Sequence, residues 1–123
     1  MSPQASRPGR TEVLAKLELA RERLRSGRLA AAVPSRFRRE LVALDWYTPE
    51  EISEGLDAVF SEVAPEHYNG RRPPEKSIEQ ECLGAELFPF DWNSGYVGER
   101  MYLKLAVNEK GSVWIVSLHR STV

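Results

Sequence analysis

The chain has 123 residues, 41% of them hydrophobic, a size that suits one globular domain built around one core. The single cysteine, Cys82, excludes an internal disulfide, and two histidines with that cysteine at wide spacing match no structural zinc pattern. No apolar run approaches the length of a membrane span. We therefore expect a cytoplasmic protein that uses no metal and no cofactor.

The formal net charge of -1 hides a segregation of charge along the chain. Residues 1–40 carry ten Lys and Arg against four Asp and Glu, residues 41–99 carry three against thirteen, and residues 100–123 carry four against one. Because a phosphate backbone responds to the local field, cations that converge on one surface can bind a polyanion despite a neutral total. The alternative is that the acidic stretch solvates a helix face.

The first half of the chain predicts helices. Residues 1–10 are polar and contain proline, so we expect a flexible tail before a single α+β domain of residues 11–123. Thr11 is a candidate N-cap for a helix that runs to about Ser26, with apolar residues on one side and arginines around the rest. A second, shorter helix is predicted from Ser35 to about Leu44.

The third helix has the clearest local signal. Thr48 is a candidate N-cap, Pro49 occupies the first helical position, and Glu51 is placed for a capping box. Apolar residues then recur at helical spacing, which predicts a buried stripe made of Ile52, Leu56, Val59, Phe60 and Val63. Pro65 ends this helix, and residues 64–74 predict an exposed loop that leads to the sheet.

The second half of the chain predicts strands. Residues 77–83 are interpreted as a strand, and residues 87–98 as an aromatic, turn-rich connection. Residues 101–107 and 112–120 predict a β-hairpin around a four-residue loop, 108–111. Helices followed by an antiparallel sheet indicate an α+β fold.

The register of this hairpin predicts two different faces, because side chains alternate along a strand. One face gathers most of the large apolar residues and is predicted to be core, with Leu105 opposite Trp114 and Leu103 opposite Val116. The pairs predicted on the other face are Ala106 with Val113, Lys104 with Ile115, Tyr102 with Ser117, and Arg100 with His119. A phenol, an imidazole and several cations therefore share one surface.

This second face matches the needs of metal-free RNA cleavage, which are a base for the ribose 2′-hydroxyl, donors for the phosphoryl oxygens and an acid for the leaving 5′-oxygen. The imidazole of histidine titrates near neutral pH, so His119 is a candidate acid or base. Tyr102 can donate a hydrogen bond or stack on a base. The candidates for binding phosphate are Lys104, Arg100 and Arg120, the last if the strand end twists it toward the same cleft.

Two polar aromatic residues on the 64–74 loop, His67 and Tyr68, are further candidates for binding substrate, since Arg71 and Arg72 follow them. Every candidate also has a plain structural explanation. Tyrosine is common in strands, lysine often protects a sheet edge, and a polar loop is usually just solvated.

The run from Arg100 to Val107 and the run from Trp114 to His119 resemble the C-terminal signature of the motility quorum-sensing regulator (MqsR) toxins, which are similar to RelE-type ribonucleases. The resemblance extends upstream, where Leu44-Asp45-Trp46 precedes a helix and an arginine-rich amphipathic helix stands before it. The fold that the resemblance implies is RelE-like, with N-terminal helices packed on a small, mainly antiparallel sheet that ends in the C-terminal hairpin.

The function that the resemblance implies is that of a toxin in a type II toxin–antitoxin pair, a metal-independent endoribonuclease that cuts mRNA and is neutralised by a protein antitoxin. The family's catalytic tyrosine falls on Tyr102, its glutamine on Gln80, and a basic residue of the last strand, usually lysine, on His119. A further family lysine has no counterpart, and His67 or Tyr68 occupies about that place. The alternative is a non-catalytic protein- or nucleic-acid-binding regulatory module, which the net acidity favours.

Overall fold

A computed structural model of the chain describes residues 7–121. Its helices are α1 (Arg10–Arg25), α2 (Pro34–Ala43) and α3 (Pro49–Glu62), and its strands are β1 (Ala30–Ala31), β2 (Glu86–Asn93), β3 (Arg100–Val107) and β4 (Val113–Arg120). Two 3-10 turns, Pro65–His67 and Gln80–Cys82, lie between α3 and β2. The predicted α+β class is confirmed. Among residues 7–121, none of the helices combines the length and the hydrophobicity that a transmembrane segment requires.

The start of α3 lies where the sequence predicts it, and the start of α1 does not. At α3 the predicted capping box is present, because the Thr48 side chain accepts from the Glu51 backbone N–H and the Glu51 carboxylate accepts from the Thr48 backbone. The Thr11 N-cap is wrong, since α1 begins at Arg10 and its N-cap is Gly9, which has no side chain to donate or accept. The helix therefore begins without a side-chain cap.

The predicted tail lies partly outside the described residues, because nothing is described of residues 1–6. Within the described part, the Arg7 guanidinium forms ion pairs with the carboxylates of Glu12 and Glu86. Pro8 is buried. These contacts join the segment before α1 to the first residue of β2.

The sheet has the order β1-β4-β3-β2, with β1 parallel to β4 and the other pairs antiparallel. Two predictions are wrong here. Residues 77–83 form a bend and a 3-10 turn rather than a strand, and residues 87–98 contain most of β2, which is an edge strand. The Pro89 carbonyl accepts from Asn69 on the side away from β3, so the N–H that proline lacks is not needed for pairing with β3.

The β3–β4 hairpin does not have the predicted register. Val107 pairs with Val113, so the loop contains five residues instead of the predicted four. Farther along β4, Val116 is an extra residue without a partner and forms a β-bulge. None of the predicted pairs is formed.

The longer loop and the bulge each shift the register by one residue, and each shift moves the side chains of β4 to the other side of the sheet. The second shift therefore cancels the effect of the first. Before the bulge, Trp114 lies outside the core that was predicted for it and packs in a separate cluster, opposite Ala106. Beyond the bulge the original direction is restored. Ser117 pairs with Lys104, and His119 pairs with Tyr102. The predicted mixed face therefore exists, although its register was wrong.

The helices cover one face of the sheet, and the main core lies between the helices and that face. Its fully buried large side chains come from α1, α3 and all three long strands: Val13, Leu17, Val59, Phe60, Phe88, Phe90, Met101, Leu103, Leu105, Val107 and Leu118. A smaller cluster, which includes Cys82, Ala85, Ala106 and Val116, covers one end of the opposite face. We call this opposite side of the sheet the outer face.

Helix α2 lies along the part of the β4 edge that the two-residue strand β1 does not cover. The Arg36 guanidinium donates to the carbonyl of the bulged residue Val116, with 3.1 Å between Nη1 and O. The Arg120 guanidinium in turn donates to the Ala43 carbonyl at the end of α2. The helix thus satisfies part of an edge that would otherwise be open to another strand.

Candidate functional site

The outer face changes from apolar to polar along the strands. At the apolar end, Leu87, Ala106 and Trp114 lie side by side across β2, β3 and β4. The following rows bring together Pro89, Lys104 and Ser117, then Asp91, Tyr102 and His119, and then Asn93 with Arg100. We call the polar end the outer patch and define it as Asp91, Arg100, Tyr102, Lys104, Ser117, His119 and Ser121. At the apolar end, the 3-10 turn Gln80–Cys82 covers the outer face and packs on it through Cys82. At the polar end, His119 is exposed to solvent.

Tyr102 and His119 stack at the centre of the outer patch. Their ring centroids are 5.2 Å apart and their planes are inclined by 27°. This contact follows from the register, since the two residues are direct partners on β3 and β4. Stacking fixes the relative position of two groups that can each carry a proton.

The hydrogen bond of His119 determines which ring nitrogen is free. Its Nδ1 lies 2.8 Å from the Arg120 carbonyl oxygen, which can accept but cannot donate. This bond therefore requires a proton on Nδ1. In the neutral ring Nε2 then carries the lone pair and is able to accept a proton.

Tyr102 is held in its neutral, proton-carrying form. The phenol is half-buried, and burial raises the pKa of Tyr102 above its ordinary value. The carboxylates of Asp91 and Glu75 raise the pKa of Tyr102 further, because a phenolate would be repelled by them. At neutral pH this phenol is a donor rather than a base.

Asp91 holds Arg100 and Ser121 in the outer patch, and it was not among the predicted site residues. Its side chain is 8% exposed, and Oδ1 accepts from the Arg100 Nε at 2.5 Å. The Ser121 hydroxyl donates to Oδ2 at 3.3 Å. The residue was missed because its segment was interpreted as a connection. Once β2 is known to be a strand, alternation places Asp91 beside Tyr102.

A cavity of about 290 Å³ adjoins Tyr102 and Lys104. Its other walls come from β2 and from residues 69–75 of the loop, including Arg71 and Glu75, which form an ion pair of 2.9 Å. Gly70 permits the close approach of this loop, because a Cβ there would lie 2.7 Å from the Pro89 ring. The cavity therefore brings the Tyr102 phenol of the stacked pair and the Lys104 amine to one opening.

The predicted loop candidates, His67 and Tyr68, do not lie in this cavity. The His67 Nδ1 accepts from the Ala64 backbone N–H at 3.0 Å. The Tyr68 ring packs against Phe88 and Phe90, whose side chains belong to the main core. The loop does reach the site, but through Asn69, Gly70, Arg71 and Glu75.

Arg120 and Gln80 are also placed away from the stacked pair. Arg120 is the partner of the core residue Met101, so its side chain leaves the sheet on the helix side and forms an ion pair with Glu99. The twist that Arg120 would need in order to reach the cleft is absent. Gln80 is exposed on the 3-10 turn, and Cys82 of the same turn packs with Ala106. Ala106 is four residues from Tyr102 along β3, a distance of about 13 Å.

No group of three or more His, Cys, Asp or Glu side chains in the described part of the chain is arranged to hold a metal ion. Comparison of the chain with protein-family models, with curated proteins and with solved structures finds no match in any of the three.

Proposed function

We propose that the chain is a metal-independent endoribonuclease whose active site is the outer patch together with the adjoining cavity. The observation that carries this proposal is the stacked pair of Tyr102 and His119, with ring centroids 5.2 Å apart, beside the Lys104 amine on an open sheet face. One pair thus offers a nitrogen able to accept a proton and a phenol able to donate one.

In the proposed reaction, His119 Nε2 takes the proton of a ribose 2′-hydroxyl, and the 2′-oxygen attacks the adjacent phosphorus. The bond from phosphorus to the 5′-oxygen breaks, and the leaving oxygen takes the phenolic proton of Tyr102. The Lys104 ammonium stabilises the charge on the phosphoryl oxygens. The products are a 2′,3′-cyclic phosphate and a 5′-hydroxyl, and His119 returns its proton to the Tyr102 phenolate.

The resemblance to MqsR toxins supplies the finer parts of the proposal. They are a RelE-like fold, an mRNA substrate, action in the cytoplasm and neutralisation by a cognate protein antitoxin. The resemblance places a catalytic tyrosine at Tyr102, and the chemistry of the outer patch uses the same residue. It also places a glutamine at Gln80, to which we assign no step because its turn is anchored at the apolar end of the outer face.

The arginines of the hairpin have different roles from those first predicted. Arg100 binds Asp91, and we propose that it positions this carboxylate beside Tyr102 instead of binding phosphate. Arg120 binds Glu99 and the end of α2, so we propose a structural role for it.

The test is incubation of purified full-length protein with naked mRNA in EDTA, followed by mapping of the product ends. We expect cleavage with cyclic phosphate and 5′-hydroxyl ends. Tyr102→Phe and His119→Ala should each lower the rate by roughly 10²–10⁴-fold, the usual contribution of general acid–base catalysis.

Matched controls exist because the chain has two histidines and four tyrosines. His67→Ala and Tyr47→Phe change the same residue types outside the outer patch, and they should leave cleavage within about twofold. Intact RNA with correctly folded protein, or full activity of His119→Ala, would contradict the proposal.

A non-catalytic binding module is the second candidate, and one observation favours it. Two of the cations predicted to hold phosphate, Arg100 and Arg120, are bound to the carboxylates of Asp91 and Glu99, which reduces the positive field around the outer patch. If this candidate is correct, the protein will bind RNA or a protein partner in a salt-sensitive way, and the RNA will stay intact.

A further inference from the structure

A second cavity, of about 620 Å³, opens at the other end of the sheet from the stacked pair. It lies where β2 begins and β3 ends, next to Glu86 and Val107. Its walls also include α1, the turn before β2 and the β3–β4 loop, so helix, strand and loop segments from separate parts of the chain meet there. A volume of this size holds a small molecule such as a mononucleotide.

Three of the four lysines in the chain line this cavity. Lys16 comes from α1, Lys76 from the segment before β2, and Lys110 from the β3–β4 loop. The fourth, Lys104, lines the cavity at the outer patch. The other 13 basic residues of the chain are arginines, so the convergence of lysines at this one place is distinctive.

Two carboxylates line the cavity, those of Glu86 and Glu109, and neither forms an ion pair with Lys16 or Lys110. Glu86 is held at both oxygens by Arg7, with N to O distances of 2.9 Å, and this pairing lowers the pKa of Glu86. The Lys76 amine is 3.9 Å from Glu86, at the limit of an ion pair. Among the described residues, no carboxylate lies within ion-pair distance of Lys16 or Lys110.

The β3–β4 loop adds an uncharged donor. The Asn108 side-chain oxygen accepts from the backbone N–H groups of Lys110 and Ser112, at 3.0 and 2.9 Å. These bonds fix the loop and occupy the amide oxygen of Asn108. The amide nitrogen of Asn108 is then available as a donor at the cavity wall.

We propose that this cavity is a phosphate-binding site, which takes the phosphate group of a nucleotide or free inorganic phosphate. Each ammonium is a compact charge with three donors, and several of them on different sides suit a tetrahedral anion with oxygens on every side. The proposal does not depend on RNA cleavage at the outer patch, because the two cavities have no lining residue in common.

The experiment is isothermal titration calorimetry of the full-length protein with AMP, adenosine and sodium phosphate at low salt. We expect saturable binding of AMP, of phosphate or of both, and none of adenosine. AMP alone identifies a nucleotide site, and phosphate alone identifies a site for the free anion. Absence of binding by both, or equal binding of adenosine and AMP, overturns the proposal.

Two variants locate the site. Lys110→Gln, on an exposed loop, and Lys16→Gln should each weaken binding roughly tenfold, because each removes a charge-assisted hydrogen bond. Arg25→Gln is the matched control on the exposed end of α1 and should bind as the parent does. Unchanged binding by Lys110→Gln and Lys16→Gln, with circular dichroism confirming that both are folded, overturns the assignment.

NMR of protein with carbon-13-labelled lysine distinguishes binding at this cavity from binding at the outer patch, because the chain has only four lysines and each gives its own Cε signal. On addition of AMP, the NMR signals of Lys16, Lys76 and Lys110 should shift. A shift confined to Lys104 would place the ligand at the outer patch and overturn the present proposal while leaving the proposed nuclease intact.

Discussion

Asp91 lies directly opposite Tyr102 in the β2–β3 register, and its carboxylate raises the pKa of the Tyr102 phenol. Burial is the larger cause of this rise, and Asp91 is the next. Asp91→Asn should therefore lower the pKa of Tyr102 while leaving it above the ordinary value, because burial remains. The measurement is NMR titration of tyrosine rings labelled with carbon-13.

The control is the titration of Tyr68 in the same sample. Its pKa is raised by burial, and the nearby charges that act on it do not include Asp91, so it should be unchanged. Glu75→Gln should shift Tyr102 in the same direction by less than Asp91→Asn does. An identical Tyr102 titration in the parent and in Asp91→Asn would show that Asp91 has no electrostatic role.

Gly55→Ala should destabilise the protein through overpacking. A Cβ at Gly55 would lie 2.6 Å from the Trp46 ring, which is buried in the main core and cannot move aside easily. Overpacking costs about 1–3 kcal/mol, and over most of this range the cost exceeds the gain of about 1 kcal/mol that alanine gives in a helix. The free energy of unfolding in urea measures the net loss.

Gly95→Ala is the matched control, because a Cβ there meets a Glu62 oxygen at 3.5 Å, an ordinary contact. It should change the free energy of unfolding by less than about 0.5 kcal/mol. If Gly55→Ala is as stable as the parent, Trp46 has room to shift and the packing argument fails.

The parts of the fold predicted correctly are those specified by neighbouring residues. Helix α3 is the clearest case, because Thr48, Pro49 and Glu51 specify its start through contacts within one turn. β2 could not be recognised in the same way. Pro89 argues against a strand, and it is tolerated because β2 is at the sheet edge, which is a property of the assembled sheet.

The outer patch was predicted from an incorrect register. The loop is longer than predicted by one residue, and the bulge at Val116 inserts one more, so the direction of the side chains beyond it is restored. Tyr102 and His119 therefore share a face because of the longer loop and the bulge together, and alternation of side chains alone does not predict either feature. The bulge depends on tertiary contacts, including the Arg36 guanidinium that binds the Val116 carbonyl.

Glu62→Gln should destabilise the protein at neutral pH and much less in acid. The Glu62 carboxylate accepts from the Trp92 indole and the Ser94 hydroxyl on one oxygen and from the Tyr96 backbone N–H on the other. Burial alone would raise the pKa of Glu62, but these hydrogen bonds outweigh it and lower the pKa below its ordinary value. An amide nitrogen cannot accept, so one of these donors would lose its partner.

A lowered carboxyl pKa gives stability that is present above the unfolded pKa and is lost as the pH falls through the folded pKa. The parent should exceed Glu62→Gln by roughly 1–3 kcal/mol at pH 7, and the difference should shrink below about pH 4. Thermal unfolding at both pH values measures it. Glu18→Gln, the same substitution on the exposed side of α1, is the control. A constant difference at both pH values would contradict the proposed role of the charge.

Glu40→Gln should have the opposite pH dependence. Burial raises the pKa of Glu40 above its ordinary value, and its Oε1 is buried without a hydrogen-bond partner among residues 7–121. The Leu118 backbone N–H and the charges of His119, Arg36 and Arg39 oppose this rise without cancelling it.

A raised carboxyl pKa gives a favourable contribution below the unfolded pKa, and this contribution is lost as the pH rises through the folded pKa. At neutral pH the buried charge of Glu40 is therefore a cost, and its neutral isostere should stabilise the protein by roughly 0.5 kcal/mol. The gain should disappear near pH 4, where the parent carboxyl is itself neutral. Urea unfolding at pH 7 and pH 4 measures both values. If Glu40→Gln is instead less stable at pH 7, the attraction of Glu40 to His119 and the arginines of α2 exceeds the cost of burying its charge.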